Sequence, residues 1–191
     1  VAALCGSLSA ALSAMVANLT VGKKGYEEVR EEMVATAVRA QALKDGLLEA
    51  VDRDTRAFNK VMEASRLPKT TPEQAFEKER AVEEANKEAT RVPLEVLEKA
   101  GEAVALARVA AAKGNKNSVS DAGVAGLAGQ AAGEGAYYNV LINLAGIKDS
   151  KFVADVRRRA ERLRKALDKE GKAVRSILGK APPAALKTNP K

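Results

Sequence analysis

The stretch YEEVREEMVATAVRAQALKDGLLEAVDRDTRAFNKVMEASR, residues 26–66, decides the fold class. In it Val29, Met33, Thr36, Ala40, Leu43, Leu47, Val51, Asp54, Phe58 and Val61 fall at alternating three- and four-residue steps. That spacing keeps side chains on one face of an α-helix. At 1.5 Å per residue the predicted helix is a rod of about 60 Å, with Gly46 as its weak point. A rod of that length needs other helices alongside it, from the same chain or from a second subunit. Asp54 is the one charged member of the apolar series. A carboxylate turned towards a packed seam loses hydration, which favours its neutral form and brings its pKa towards working pH. A general acid or base needs that property where no imidazole is present. The alternative is a structural ion pair with Lys or Arg from a neighbouring helix.

Working outward, residues 1–22 carry no charge, yet Ala, Ser and Gly dominate and Asn18 interrupts them. Ala2, Gly6, Ala10, Ala14 and Asn18 recur every fourth residue. This reads as a helix buried on nearly all sides, in a bundle centre or a subunit interface, and not as a membrane span. The chain opens without Met, so an upstream segment is expected. Downstream, Pro68 ends the rod, and Thr71-Pro72-Glu73-Gln74 is a capping box with Pro at the first helical position. Pro93 is expected to end or kink the helix that follows, with a further helix from about Leu94 to Lys113 and Gly114 as its cap. After the loop GNKNSVSD, Ser120 is placed to cap a Gly-rich helix that turns apolar through YYNVLINLAG. A last helix is predicted from about Lys151 to Leu178, ended by Gly179. No segment alternates with period two between hairpin turns. The expectation is an all-α helical bundle with long helices, packing as a dimer: one domain over residues 1–180 and a flexible tail at 181–191.

The 191 residues contain no His, one Cys and 3% aromatics. That excludes imidazole-based triads and proton shuttles, His-ligated zinc, internal disulfides and thiolate clusters. Chemistry must run on carboxylates, Lys, Tyr, hydroxyls, amides and backbone dipoles. A lone thiol fits a reducing, cytoplasmic home. Of the net charge of +7, residues 151–191 carry +9 and residues 1–150 carry −2. The basic C-terminal helix reads either as an attractor for polyanions or as the solvated face of an amphipathic helix. It lacks the stacking aromatics of nucleic-acid binders, so neither nucleic acid nor membrane is an expected partner.

Three further clusters could carry chemistry. Asn115, Asn117, Ser118, Ser120 and Asp121 precede the Gly-rich helix, where free backbone N–H groups suit an anion, or where Ser120 and Asp121 simply cap. Asn139 and Asn143 stand one turn apart on an apolar helix, where a planar heterocycle or interhelical hydrogen bonds would satisfy them. Arg66 and Lys69 flank Pro68 at the end of the Asp54 helix; they could meet a ligand carboxylate or complement the helix dipole.

Five segments in order resemble one family: VANLTVGKKGYEE (16–28), VDRDTRAFNKVM (51–62), SRLPKTTPEQ (65–74), GNKNSVSDAGVA (114–125) and GAYYNVLINL (135–144). They are similar to the cyclodeaminase/cyclohydrolase family of folate enzymes, which includes the C-terminal domain of formiminotransferase-cyclodeaminase and short bacterial relatives. The resemblance implies an all-helical homodimer acting on a folate substrate, polyglutamylated or not, without a cofactor or metal, and linked to a formiminotransferase. It implies a formimidoyltetrahydrofolate cyclodeaminase, which converts 5-formiminotetrahydrofolate to 5,10-methenyltetrahydrofolate and ammonia. The alternative is methenyltetrahydrofolate cyclohydrolase. An alternative of another class is a non-enzymatic scaffold that binds polyanions through its basic helix. The family's catalytic carboxylate is the second Asp of a VDxDxxAF motif, here Asp54. Ser120, Asp121, Asn139 and Asn143 match motifs near the folate site, and Arg66 and Lys69 would meet the anionic glutamate tail. Relatives carry Pro-Gly-Gly-Gly-Ser immediately before the Val-Ala-Ala of residues 1–3, so a glycine loop beside the site is expected upstream.

Overall fold

The computed structural model describes residues 1–180. Among them are five helices: α1 (Ala2–Asn18), α2 (Arg30–Ser65), α3 (Pro72–Lys113), α4 (Val119–Leu144) and α5 (Ser150–Lys180). Short 3-10 turns at Glu27–Val29 and Lys116–Ser118 lead into α2 and α4. No strand occurs among the described residues, and the all-α reading holds. The expected tail at 181–191 lies outside them.

Helix α1 is the centre of the bundle, touching α2, α3 and α4, while α5 packs on α3 and α4. A chain this poor in aromatics fills its core with small side chains and close backbones. Gly6 of α1 receives Leu47 of α2, and Gly126 of α4 receives Val174 of α5. Gly129 sits where α1, α3 and α4 converge: a Cβ there would lie 2.5 Å from Val104 Cγ2 and 2.7 Å from Ser9 Oγ. The low side-chain bulk of α1 and α4 is therefore a packing requirement.

Helices α2 and α3 form an antiparallel hairpin, clasped along one edge at seven-residue steps of α2. Lys113 donates to Glu32 (2.7 Å), Arg39 Nη2 to Glu102 (2.7 Å), Lys99 Nζ to the Gly46 carbonyl (3.4 Å), and Arg53 Nη2 pairs with Glu95 (2.7 Å). Gly46 is no weak point: α2 runs unbroken through it, and its missing Cβ leaves room for Lys99.

Five boundaries differ from expectation. Helix α2 starts at Arg30 and not at Tyr26, after the 3-10 turn at Glu27–Val29. Helix α3 continues through Pro93 and neither ends nor restarts there. Ser120 does not cap α4; Ser118 is the N-cap residue and Ser120 is exposed within the first turn. Asn115 organises that loop instead: its Oδ1 accepts from Asn117 N–H (3.0 Å) and Lys23 Nζ (2.8 Å), and its own N–H donates to Thr20 Oγ1 (2.8 Å). Helix α5 starts one residue early, because Asp149 Oδ1 accepts the Phe152 N–H (3.0 Å), and it runs past Gly179 to Lys180. Half of the capping box forms: Thr71 Oγ1 accepts Gln74 N–H (3.2 Å), but Gln74 Oε1 reaches past the N-cap to the N–H of Thr70 (3.1 Å).

The Arg53 guanidinium, followed by the Lys99 ammonium, holds Glu95 below the usual carboxylate range. Backbone N–H donation, chiefly from Lys148, does the same for Glu83. Both groups release protons more readily folded than unfolded. Their contribution is therefore present above their ordinary value of 4.5 and lost as pH falls below it through the folded values. Urea unfolding from pH 7 to pH 3 should show stability falling across that window. Glu95→Gln should flatten the fall and lower stability at pH 7 by about 1 kcal/mol.

Candidate functional site

Along α2, Met33, Ala40 and Leu47 are fully buried at seven-residue steps, and Asp54 is next in that row. Where the row meets α1 it packs: Ser7 Oγ donates to the Lys44 carbonyl (3.1 Å) and Gly6 abuts Leu47. Beside Ala50 and Val51 the seam borders a hollow of about 130 Å³, lined also by Val1, Ala2 and Ala3, and Asp54 lies on its wall. The expected desolvated carboxylate is thus corrected: Asp54 is exposed in the single chain, because the apolar face it belongs to opens into the hollow one turn after Leu47. Val51 and Phe58 are exposed for a related reason. Beyond Leu47 the face buried by α2 narrows to Ala50, Ala57 and Ala64.

The hollow is walled by Ala50, Val51 and Thr55 of α2, Pro93 and Val96 of α3, and Ala136 and Asn139 of α4. Among the described residues, Asp54 is the only ionisable side chain lining it. Asp54 and Asn139, 85 positions apart in sequence, therefore share one small cavity with an apolar floor. Arg53, next to Asp54, is committed to Glu95, so the cavity carboxylate stands beside a fixed helix–helix clamp.

The other expected site residues lie elsewhere. Asn143 is half-buried, and its Nδ2 donates to the Ala89 carbonyl (2.8 Å). Ser120 and Asp121 sit at the opposite end of α4 from Asn139, about 27 Å away along the helix axis. Arg66 caps the C-terminus of α2, about 18 Å beyond Asp54 along its axis, and Lys69 lies in the following turn; both are exposed. The basic surplus of α5 is partly spent on its neighbours, in Arg159–Glu98 (2.7 Å), Arg164–Glu134 (2.9 Å) and Gln130 beneath Arg175 (2.5 Å). Sequence reasoning missed Pro93, Val96 and Thr55 as cavity walls. The available signal was Pro93 itself, a residue hard to place inside a long helix unless something nearby needs it.

Among the described residues no group of three His, Cys, Asp or Glu side chains converges to hold a metal. No helix is long and apolar enough to cross a membrane. One further surface feature adjoins the cavity. Leu4 (56% exposed), Leu8, Met15 and Leu19 form an open apolar row on α1. Val124, Leu127 (57%), Tyr138 and Ile142 (69%) form another on the neighbouring α4.

A family model described as formiminotransferase-cyclodeaminase matches residues 1–162. A methenyltetrahydrofolate cyclohydrolase of Methylorubrum extorquens is 40% identical over 154 residues, which is 81% of this chain and 74% of that protein. The formimidoyltransferase-cyclodeaminase of Gallus gallus is 36% identical over 163 residues; the match covers 85% of this chain and 30% of the relative's length. A solved structure of formiminotetrahydrofolate cyclodeaminase from Thermotoga maritima superposes with a TM-score of 0.84 at 29% identity, covering 93% of this chain and 85% of that one.

Proposed function

Because the chain belongs to the formiminotransferase-cyclodeaminase family, we propose that it is a methenyltetrahydrofolate cyclohydrolase with Asp54 as its proton-transfer group. The observation that carries the chemistry is the cavity in which Asp54 is, among the described residues, the one ionisable side chain, on a lining that also includes Asn139. The preference for cyclohydrolase over cyclodeaminase rests on the Methylorubrum relative, which combines the higher identity with a match along most of its length. The order expected from the five sequence segments is thereby reversed.

In the proposed reaction water attacks the methenyl carbon between N5 and N10, and Asp54 takes its proton. The neutral tetrahedral carbinol then collapses. Its C–N5 bond breaks as Asp54 returns the proton to N5, and the carbinol O–H releases one proton to solvent as the 10-formyl group forms. Asn139, with one amide acceptor and two donors, is placed to hold the polar edge of the substrate. Cyclodeaminase is the second reading, favoured by the Gallus relative and the Thermotoga structure. There N10 attacks the carbon of the protonated formimino group, Asp54 takes the N10 proton and delivers it to the resulting NH2, which leaves as ammonia with the methenyl cation behind it. Absorbance of methenyltetrahydrofolate separates the two: it decays under cyclohydrolase activity and rises when 5-formiminotetrahydrofolate is cyclised. Protein inert towards both folates would defeat the proposal.

A second copy of the chain over the open α1–α4 face belongs to the same reading. Those two apolar rows are otherwise unpartnered, and Tyr138 precedes the cavity residue Asn139. A cavity of about 130 Å³ is also smaller than the roughly 300 Å³ at which ligand pockets begin, so further walls are required. Leu8→Glu with Leu127→Glu should convert a dimer to a monomer in sedimentation analysis and lower turnover at least tenfold. A double variant that remains dimeric would remove this face from the interface.

A further inference from the structure

The 42 residues of α3 run without interruption through a proline, although a proline inside a helix ordinarily kinks or breaks it. Proline has no N–H, so the carbonyl four residues earlier, that of Ala89, loses its helical donor. The structure supplies a replacement from another helix: Asn143 Nδ2 donates to the Ala89 oxygen at 2.8 Å. Two neighbouring bonds fasten the same region. Asn86 Nδ2 donates to the Gly146 carbonyl just after α4 (3.3 Å), and the buried Thr90 hydroxyl donates back to the Asn86 carbonyl (2.7 Å).

The bond has a consequence for the cavity. Pro93 is part of its wall, and Asn139 stands one helical turn before Asn143 on α4. Residues four apart share a helix face, so a bond that pins Asn143 to α3 also sets the rotation and height at which Asn139 enters the hollow. We infer that Asn143 is a positioning residue: its carboxamide stands in for the N–H that Pro93 lacks, and by docking α4 on α3 it holds Asn139 opposite Asp54. The two amides one turn apart therefore divide the work, Asn139 at the cavity and Asn143 behind it. This rests on the proposed function only for the catalytic readout; the bond and its exchange partner are read from the fold.

A double-mutant cycle tests it in the full chain. Asn143→Ala leaves the Ala89 carbonyl without a donor and should lower Tm by about 5 °C. Asn143→Asp keeps the shape but sets a carboxylate against the carbonyl, and should lose at least as much. Pro93→Ala restores a backbone N–H that can reach Ala89, so Asn143→Ala made in that background should cost less than half of its Tm penalty in the natural background. With 5,10-methenyltetrahydrofolate, Asn143→Ala should lower kcat/KM about tenfold, and adding Asn139→Ala to it should cost less than about twofold more, because Asn143 acts through Asn139. If Asn143→Ala alone fails to fold, a folded double variant supports the exchange, and a double variant that also fails overturns it. Equal Tm penalties in both backgrounds, or kcat/KM losses of Asn143→Ala and Asn139→Ala that simply multiply, would overturn the inference. Natural protein inert towards both folates but with the Tm coupling intact would instead defeat the functional reading and leave the Pro93–Asn143 exchange standing.

Discussion

Asp54→Asn is expected to lower turnover of methenyltetrahydrofolate about a thousandfold, the range lost when a positioned proton-transfer group is removed. The same substitution should leave stability within about 0.5 kcal/mol. Both halves follow from where the carboxylate sits. Asp54 is exposed on the wall of a hollow, and the adjacent guanidinium of Arg53 is already paired with Glu95 at 2.7 Å. Replacing one carboxylate oxygen with an amide nitrogen therefore breaks no described ion pair and leaves the seam at Leu47 as it was. In the proposed reaction, what it removes is the group that accepts a proton from water and gives one back to N5. The check is a progress curve at 5,10-methenyltetrahydrofolate saturation, beside a thermal melt of the same preparation. Near-normal turnover would defeat the assignment of Asp54, and a collapsed melt would show that the side chain is structural. The scaffold reading makes the opposite forecast: indifference to Asp54 and to folate, with salt-dependent polyanion binding through α5. One pair of proteins separates the two classes.

Gly129→Val is expected to have the largest effect on the fold, a loss of at least 3 kcal/mol and a fall in Tm of about 6–12 °C. In an isolated helix, replacing glycine by a residue with a side chain would help by a few tenths of a kcal/mol. Here tertiary packing reverses the sign. The first carbon of any side chain at 129 would meet Val104 Cγ2 at 2.5 Å and Ser9 Oγ at 2.7 Å. Val104 is β-branched and fully buried, with few rotamers to retreat into. Ser9 lies on the central helix, itself wedged among three others. Relief requires α1 to move away from α4, which would also open the contact of Gly6 with Leu47 and Ala132. Gly101 supplies the control: nothing lies within 4 Å of a Cβ built there, so Gly101→Ala should be neutral or slightly stabilising. Circular dichroism melts of the two variants, run together, test the packing explanation directly. A Gly129→Val protein as stable as the natural one would refute it.

Most of the helices were legible because helical periodicity is a local property. Met33, Ala40 and Leu47 announce a buried face, Thr71-Pro72-Glu73-Gln74 a start, and the charge-free, small-residue run of residues 1–22 a closely packed helix, although Leu4, Leu8, Met15 and Leu19 leave one side of it open in the single chain. The same periodicity put Asp54 on the apolar face of α2, which is where it lies. Three things depended on tertiary structure. Whether that face is packed or open at Asp54 depends on what other parts of the fold lie against it, and no spacing within α2 encodes those neighbours. Whether Pro93 breaks α3 depends on a donor 50 residues away, since Asn143 satisfies the carbonyl that proline orphans. Which polar residues share a cavity depends on the antiparallel docking of α2, α3 and α4, which gathers Asp54 and Asn139 and leaves Ser120, Asp121, Arg66 and Lys69 at the far ends of their helices. Side-chain pattern along one helix sets which face is apolar; only the neighbours that arrive from elsewhere in the chain decide what that face meets.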